Sequence, residues 1–375
     1  MTADKKYMKL ALSLAQKGIG SVEPNPMVGC VIVKSGKIIG KGYHQKFGGA
    51  HAEIEALADC KKRGNCPAGA TMYVTLEPCC HFGKTPPCVN AIIAAGIKKV
   101  VAAVKDPTKK VAGKGFAILK KAGIEIVVGV CEKEAKELNA PFFKFAKTGR
   151  PYIIVKWAQS CDGFLSRSDG KLWITNAASR KDVHKIRQRV GAILIGVNTV
   201  IEDNPMLTVR PDKGKQPIRV VLDSKLRIPL SCNLIKTAKK TPVWIFTTVS
   251  KRDCRAASRF AKATQDLLAM TERKSVEIIK VGKYKNGVNL KAVIAELGKR
   301  GIQQLLVEGG EKTITSFLKQ KLADEIIIYT SNKKLAANGK VPSSQIMKAV
   351  YNRLKKNHSD KKKFDKDVKL TGIVK

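Results

Sequence analysis

Apolar and polar positions along the chain fall into short segments with two distinct periods. Over Lys5 to Lys17 the apolar residues Tyr7, Leu10, Ala11 and Leu14 recur at helical spacing, which predicts an amphipathic helix. Val28 to Val33 and Lys37 to Tyr43 are short apolar runs joined by Ser35-Gly36, a hairpin pattern. Ala52 to Lys62 returns to the helical period, with Ile54, Leu57 and Ala58 on one face before Gly64. Strands are then predicted at Thr71 to Leu76, Lys98 to Val104 and Ile124 to Val128. They alternate with helices at Cys88 to Ala95 and Gly115 to Lys121. A helix over Glu132 to Lys147 is interrupted by Pro141. Thr148-Gly149-Arg150-Pro151 then breaks the pattern, and the domain boundary is expected there, giving residues 1–148 and 149–375.

The second half starts afresh. Strands are predicted at Tyr152 to Trp157, Ala192 to Gly196, Ile218 to Leu222, Val243 to Thr248 and Val276 to Val281. Further strands follow at Leu305 to Val307, Glu325 to Tyr329 and Val368 to Val374, with helices at Ser179 to Arg189, Leu290 to Arg300 and Glu311 to Gln320. Strands alternating with helices predict an α/β architecture for both halves.

Composition narrows the class. A chain of 375 residues can bury two cores, and no apolar run reaches the ~18 residues that suggest a membrane span. The N-terminus mixes Asp4, Lys5 and Lys6 with Leu10, Leu12 and Leu14, unlike a signal or transit peptide, so a cytoplasmic location is expected. Cys79, Cys80 and Cys88 cluster, whereas Cys30, Cys60, Cys66, Cys131, Cys161, Cys232 and Cys254 are scattered as reduced thiols are. The formal charge of +41 steers anions toward the surface. Its lysines form no basic arm, and the densest run, Lys355 to Lys366, is broken by Asp360 and Asp365. No specific nucleic-acid partner is expected from it.

The chemistry concentrates between His51 and Cys88. His51-Ala52-Glu53 followed by Pro78-Cys79-Cys80 and a later Cys88 approximates H-x-E followed by P-C-x-x-C, the signature of zinc-dependent base deaminases. One imidazole and two thiolates leave a fourth zinc position for water, as catalytic zinc sites do. A strict spacing would place the second thiolate at Phe82, so that ligand is Cys80 or Cys88. Adjacent cysteines rarely reach one tetrahedral ion together, which favours Cys88, with His81 to Pro87 as an inserted loop. The candidate metal ligands are therefore His51, Cys79 and Cys88, and Glu53 is the candidate proton shuttle.

Downstream, Gly309-Gly310-Glu311-Lys312-Thr313 lacks the spacing of a Walker loop, and no G-x-G-x-x-G follows a strand. A strand ending in Glu308-Gly309-Gly310 and opening a helix nevertheless predicts an anion cradle made of backbone N–H groups.

Several segments resemble one family. They are Asn25 to Val33, Gly42-Tyr43-His44, His51-Ala52-Glu53, Thr75 to Cys88, Asp106-Pro107 and Val111 to Gly115. In the second half they are Lys156 to Gly163, Trp173-Ile174-Thr175, Leu207 to Arg210, Asp223-Ser224 and Glu308-Gly309-Gly310. Together these resemble the bifunctional riboflavin-biosynthesis deaminase–reductases along essentially the whole chain. The resemblance implies a cytidine-deaminase-like α/β/α domain followed by a dihydrofolate-reductase-like α/β domain. It implies Zn2+ and NADPH as cofactors and a phosphorylated pyrimidine, 2,5-diamino-6-ribosylamino-4(3H)-pyrimidinone 5′-phosphate, as substrate. That substrate would lose its 2-amino group, and the ribosyl group of the product would then be reduced to ribityl.

By the same resemblance, Ala158, Trp173, Thr199, Ser224 and the turn Gly310, Glu311, Lys312, Thr313, Ile314, Thr315 and Ser316 match the NADPH-binding set. Arg187, Asp203, Leu207, Arg210 and Glu308 match the substrate set, with the two arginines suited to a phosphate. Asn25 is a candidate for gripping the base edge, or an ordinary Asx-turn residue. The chain departs from the family pattern at Lys171, two residues before Trp173, and over Asn332 to Ala336. A homo-oligomer, dimer or tetramer, is expected. Two other readings share the metal motif: a zinc deaminase acting on nucleic acid, and a deaminase carrying a degenerate second domain.

Overall fold

A computed structural model describes residues 2–168, 173–210, 215–249, 275–285, 287–356 and 360–374; Lys171 and Cys254 lie outside them. The chain divides into two units, Met1–Gly149 and Arg150–Lys375.

The first unit contains, in order, α1 (Ala3–Ala15), β1 (Gly29–Lys34), β2 (Lys37–Tyr43), α2 (Ala52–Lys62), β3 (Thr71–Val74) and α3 (Cys88–Ala94). β4 (Lys99–Ala102), α4 (Lys114–Lys121), β5 (Glu125–Val128), α5 (Glu132–Leu138) and α6 (Ala140–Thr148) complete it. The helix predicted over Glu132 to Lys147 is thus two helices meeting at Asn139. Pro141 lies in the first turn of α6, where a missing N–H breaks no helical hydrogen bond.

The five strands are ordered β2-β1-β3-β4-β5, with β1 antiparallel to both neighbours and β3, β4 and β5 parallel. Period-two alternation on β1 divides the core into two layers. Cys30 and Ile32 join Ala52 and Ala56 of α2 and Ile92 of α3, while Val31 and Val33 join Met8 and Leu12 of α1 and Phe143 of α6. Ile32, Met72 and Ile92 are fully buried, each contributing about 1.5–3 kcal/mol. On β2, a Cβ at position 42 would lie 2.4 Å from Ala56 N, so Gly42 lets α2 rest directly on the strand. This close contact sets the position of the His51-Ala52-Glu53 end of α2.

The second unit opens with β6 (Tyr152–Gln159), β7 (Phe164–Arg167), α7 (Ala177–Gln188), β8 (Ala192–Gly196), α8 (Val197–Asp203) and β9 (Ile218–Leu222). Then come α9 (Asn233–Lys236), β10 (Val243–Thr247), β11 (Val276–Lys280), β12 (Lys283–Tyr284) and β13 (Gly287–Val288). The remaining elements are α10 (Leu290–Lys299), β14 (Gln304–Val307), α11 (Glu311–Lys319), β15 (Glu325–Thr330), β16 (Gly339–Pro342), α12 (Gln345–Lys356), β17 (Asp360–Phe364) and β18 (Asp367–Ile373).

Nine strands form one sheet in the order β11-β10-β9-β8-β14-β6-β15-β18-β17, parallel from β11 to β15 and antiparallel at β18 and β17. β14 enters between β8 and β6, so the order of winding reverses there. Ligands of open α/β sheets bind beside the carboxyl ends of strands at such a point. Among the described residues no helix is long and apolar enough to cross a membrane.

Candidate active sites

In the first unit His51 caps the N-terminus of α2 and Cys88 begins α3, while Cys79 lies in the loop after β3. These folds bring three ligand atoms together: His51 Nδ1 lies 3.2 Å from Cys88 Sγ and 3.5 Å from Cys79 Sγ. Among the described residues, His51, Cys79 and Cys88 form the one group whose ligand atoms all lie within 4.8 Å. Tetrahedral zinc with Zn–S near 2.3 Å and Zn–N near 2.0 Å separates nitrogen from sulfur by about 3.5 Å, so the donor set fits this ion. Cys80 lies outside the group, its sulfur 3.9 Å from Lys110 O.

The electrostatics suit a cation. The backbone N–H of Cys88 donates to Cys79 Sγ at 3.3 Å from the start of a helix. The Cys88 thiol holds Cys79 well below the usual thiol range by hydrogen bonding, and Cys88 is pushed up in return. Glu53 is 3% exposed, and burial together with the neighbouring Cys79 raises its carboxyl to about 7. His44 packs edge-on to His51, with ring centroids 5.3 Å apart.

Glu77 escaped the sequence reading as a functional residue. Its buried carboxylate accepts backbone N–H groups from Asp106 at 3.1 Å, Gly113 at 3.0 Å, Gly115 at 3.0 Å and Phe116 at 3.4 Å. Glu77 thereby ties the Asp106–Gly115 motif to the segment that carries Cys79. The signal was its place one residue before Pro78-Cys79, but its partners lie 29 to 39 residues later.

In the second unit a cleft of about 880 Å³ opens beside the carboxyl ends of β6, β8, β9 and β14. Ala158, Trp173, Thr199, Ser224, Gly310, Glu311, Lys312, Thr313 and Ile314 line it, as do Arg187, Asp203, Leu207, Arg210 and Glu308. Thr315 and Ser316 are not among its lining residues. The Thr315 hydroxyl bonds Glu311 Oε1 and Ser344 Oγ, and Ser316 donates to Lys312 O.

Glycine makes the cradle possible. A Cβ at position 309 would fall 2.6 Å from Thr313 Cβ, so only Gly309 lets the start of α11 fold against the strand end. The Gly310 N–H donates to Thr199 Oγ1 at 3.2 Å, joining that helix to α8.

Glu308 is the electrostatic centre of the cleft. Arg187 donates to it through Nε at 3.0 Å and Nη2 at 2.7 Å, and Lys156 Nζ lies 3.9 Å away. Burial would raise Glu308, yet Arg187 and Lys156 outweigh it and hold the carboxyl at about 2. Lys156 is itself pushed down by burial, against the pull of Glu308. Its side chain was absent from the predicted set. A lone lysine inside the apolar run Tyr152 to Trp157 was the available signal. Arg180 stacks over the exposed Trp173 ring at 5.1 Å, and the Arg210 N–H donates to His184 Nδ1 at 3.2 Å. The divergent segment near Leu335 folds back onto Asp162, which accepts the N–H groups of Leu335 and Ala336 at 3.1 and 2.8 Å.

The family model of the cytidine and deoxycytidylate deaminase zinc-binding region matches residues 1–104, and that of the RibD C-terminal domain matches residues 151–369. The riboflavin biosynthesis protein RibD of Aquifex aeolicus is 46% identical over 332 residues, covering 88% of this chain and 87% of that protein. The chain belongs to the RibD family.

The RibD of Escherichia coli is 38% identical, with 90% of each chain covered. Among solved structures, the RibD of Acinetobacter baumannii superposes with a TM-score of 0.78 at 35% identity, over 99% of this chain and 98% of that one. A diaminohydroxyphosphoribosylaminopyrimidine deaminase/5-amino-6-(5-phosphoribosylamino)uracil reductase from Thermotoga maritima gives a TM-score of 0.79 at 33% identity, with 98% of each chain covered. The chain is thus a riboflavin-biosynthesis enzyme that joins a hydrolytic deaminase to a reductase. Its deaminase unit is of the zinc-binding kind, and its reductase family implies a nicotinamide cofactor.

Proposed function

We propose that residues 1–148 hydrolyse the 2-amino group from 2,5-diamino-6-ribosylamino-4(3H)-pyrimidinone 5′-phosphate. Residues 149–375 then reduce the ribosyl chain of the product to ribityl with NADPH. The observation that carries the reading is one imidazole nitrogen and two sulfurs within 4.8 Å of one another beside a buried carboxylate.

His51 Nδ1 and the sulfurs of Cys79 and Cys88 would hold zinc. When bound, zinc supplies Lewis acidity that lowers the pKa of water toward ~7. Glu53 handles the protons: a carboxylate oxygen takes one from the attacking water and passes it to the ring nitrogen. It then takes the second from the hydroxyl of the tetrahedral adduct and passes it to the amino group, which leaves as ammonia while the C=O bond forms. Asn25 grips the base edge.

In the reductase, Ala158, Trp173, Thr199, Ser224 and the turn from Gly310 to Ser316 hold NADPH, which supplies a hydride when bound. The hydroxyls of Thr315 and Ser316 contribute by bracing α11 rather than by contact. Arg210 and Arg187 receive the 5-phosphate, because guanidinium offers donors to phosphate oxygens; Arg187 also donates through Nη1 to Thr208 O at 3.2 Å. Leu207 packs against the substrate, and Asp203 and Glu308 accept hydrogen bonds from the sugar hydroxyls. The working form is a homo-oligomer, dimer or tetramer, acting in the cytoplasm.

The test is to incubate the purified chain with the diamino substrate, with and without NADPH, and identify the products. Without NADPH the deaminated ribosyl compound accumulates; with it, NADPH is consumed and the ribityl compound forms. Absence of the deaminated compound contradicts the deaminase assignment, and unchanged NADPH contradicts the reductase assignment.

A further inference from the structure

Asn139 sits where α5 ends and α6 begins, and its side chain is 2% exposed. Its carboxamide engages both backbone groups of Met27. The Met27 N–H donates to Oδ1 and Nδ2 donates to Met27 O, each at 2.8 Å. One side chain, 112 residues away in sequence, thus satisfies Met27 as a neighbouring strand would. Met27 lies two residues beyond Asn25, and the intervening Pro26 has a fixed φ, so little rotational freedom separates the clamp from Asn25.

The contact continues toward the metal ligands. Asn25 Nδ2 lies 3.2 Å from His44 Nε2, and His44 Nδ1 lies 2.8 Å from Ala50 O, the residue before His51. A carbonyl only accepts, so Nδ1 carries the proton and Nε2 accepts from Asn25. That assignment orients the Asn25 carboxamide and leaves Oδ1 as its atom for an amino group on a base.

We propose that Asn139 is a positioning residue for the deaminase: it locks the Asn25-Pro26-Met27 turn so that Asn25 meets the pyrimidine edge. The inference rests on the reading of Asn25 as a base-gripping residue. An alanine at 139 removes both partners of Met27. An aspartate keeps the acceptor for the Met27 N–H but sets an oxygen against Met27 O. Either change loosens the turn while leaving α2 and its metal ligand in place.

The experiment uses the full-length zinc-loaded chain and compares Asn139→Ala, Asn25→Ala and the double variant. Deaminase KM and kcat, zinc content and reductase activity are read on the same samples. The expected result for Asn139→Ala is a KM raised roughly tenfold, the equivalent of about 1.4 kcal/mol. Its kcat, zinc content and reductase activity stay near those of the parent. The double variant has the KM of Asn25→Ala alone, because a positioning effect vanishes once the positioned group is gone. An unchanged KM in Asn139→Ala, beside a raised KM in Asn25→Ala, overturns the inference alone. An unchanged KM in Asn25→Ala overturns the base-gripping reading and the inference with it. Parallel loss of kcat and zinc, or multiplying effects in the double variant, reduces Asn139 to a general structural role and also overturns it. Should Asn139→Ala not fold, Asn139→Asp carries the same comparison.

Discussion

Arg187 and Glu308 meet edge to edge in the wall of the reductase cleft, Nε to Oε1 at 3.0 Å and Nη2 to Oε2 at 2.7 Å. The pair keeps Glu308 ionised down to about pH 2, below the ordinary carboxylate range. A depressed folded-state pKa contributes stability that is present above the unfolded value of about 4.3 and lost as pH falls through the folded one. The melting temperature of the parent should therefore exceed that of Glu308→Gln near neutrality. The gap should narrow as pH is lowered from about 4.3 toward 2. Thermal melts across that window check it, and a gap independent of pH contradicts the pairing.

Glu77→Gln tests the tie between the metal loop and the Asp106–Gly115 motif. An amide at position 77 sets its own N–H groups against some of the four backbone donors that the carboxylate now receives. The expected loss is about 1–3 kcal/mol from the deaminase unit, the cost of leaving a buried donor unsatisfied. Chemical denaturation followed by deaminase activity measures it, with reductase activity of the same sample as the reference.

Gly309→Ala tests the cradle. The new Cβ would sit 2.6 Å from Thr313 Cβ, so the start of α11 must move. Overpacking of this kind costs about 1–3 kcal/mol. NADPH affinity should fall by roughly tenfold or more, measured as a smaller rise in melting temperature at a fixed NADPH concentration.

Glu53→Gln separates proton transfer from metal binding. Glu53 lies outside the group formed by His51, Cys79 and Cys88, so zinc content should remain near one per chain. Deaminase kcat should fall by about 10²–10⁴, the usual contribution of a positioned acid–base group. Full activity in this variant contradicts the role assigned to Glu53.

Much of the fold was legible because burial follows local period. The continuous apolar run Val28 to Val33 predicted a strand without saying which residue faces which way, and its alternate residues enter different core clusters. The edge strand β17 was not legible, because it lies in the lysine-rich run Lys355 to Lys366. The helix α12 was legible in the helical spacing of Ile346, Met347, Val350, Tyr351 and Leu354, which pack on the core, but is absent from the predicted set. A charged tract reads as solvated loop, yet Lys361, Lys362 and Lys363 lie on an outer strand, where lysines discourage further pairing. Local spacing could nominate His51, Cys79 and Cys88 because their chemistry is written in residue type. It could not nominate Glu77 or Asn139. Their roles consist of partners 29 to 112 residues away, which only tertiary structure brings into reach.

The most direct test of the account is zinc content and deaminase turnover in Cys88→Ser and Cys80→Ser beside the parent chain. The geometry of His51, Cys79 and Cys88 predicts that Cys88→Ser loses zinc and deamination together, while Cys80→Ser retains both. Zinc and turnover kept in Cys88→Ser but lost in Cys80→Ser would contradict it.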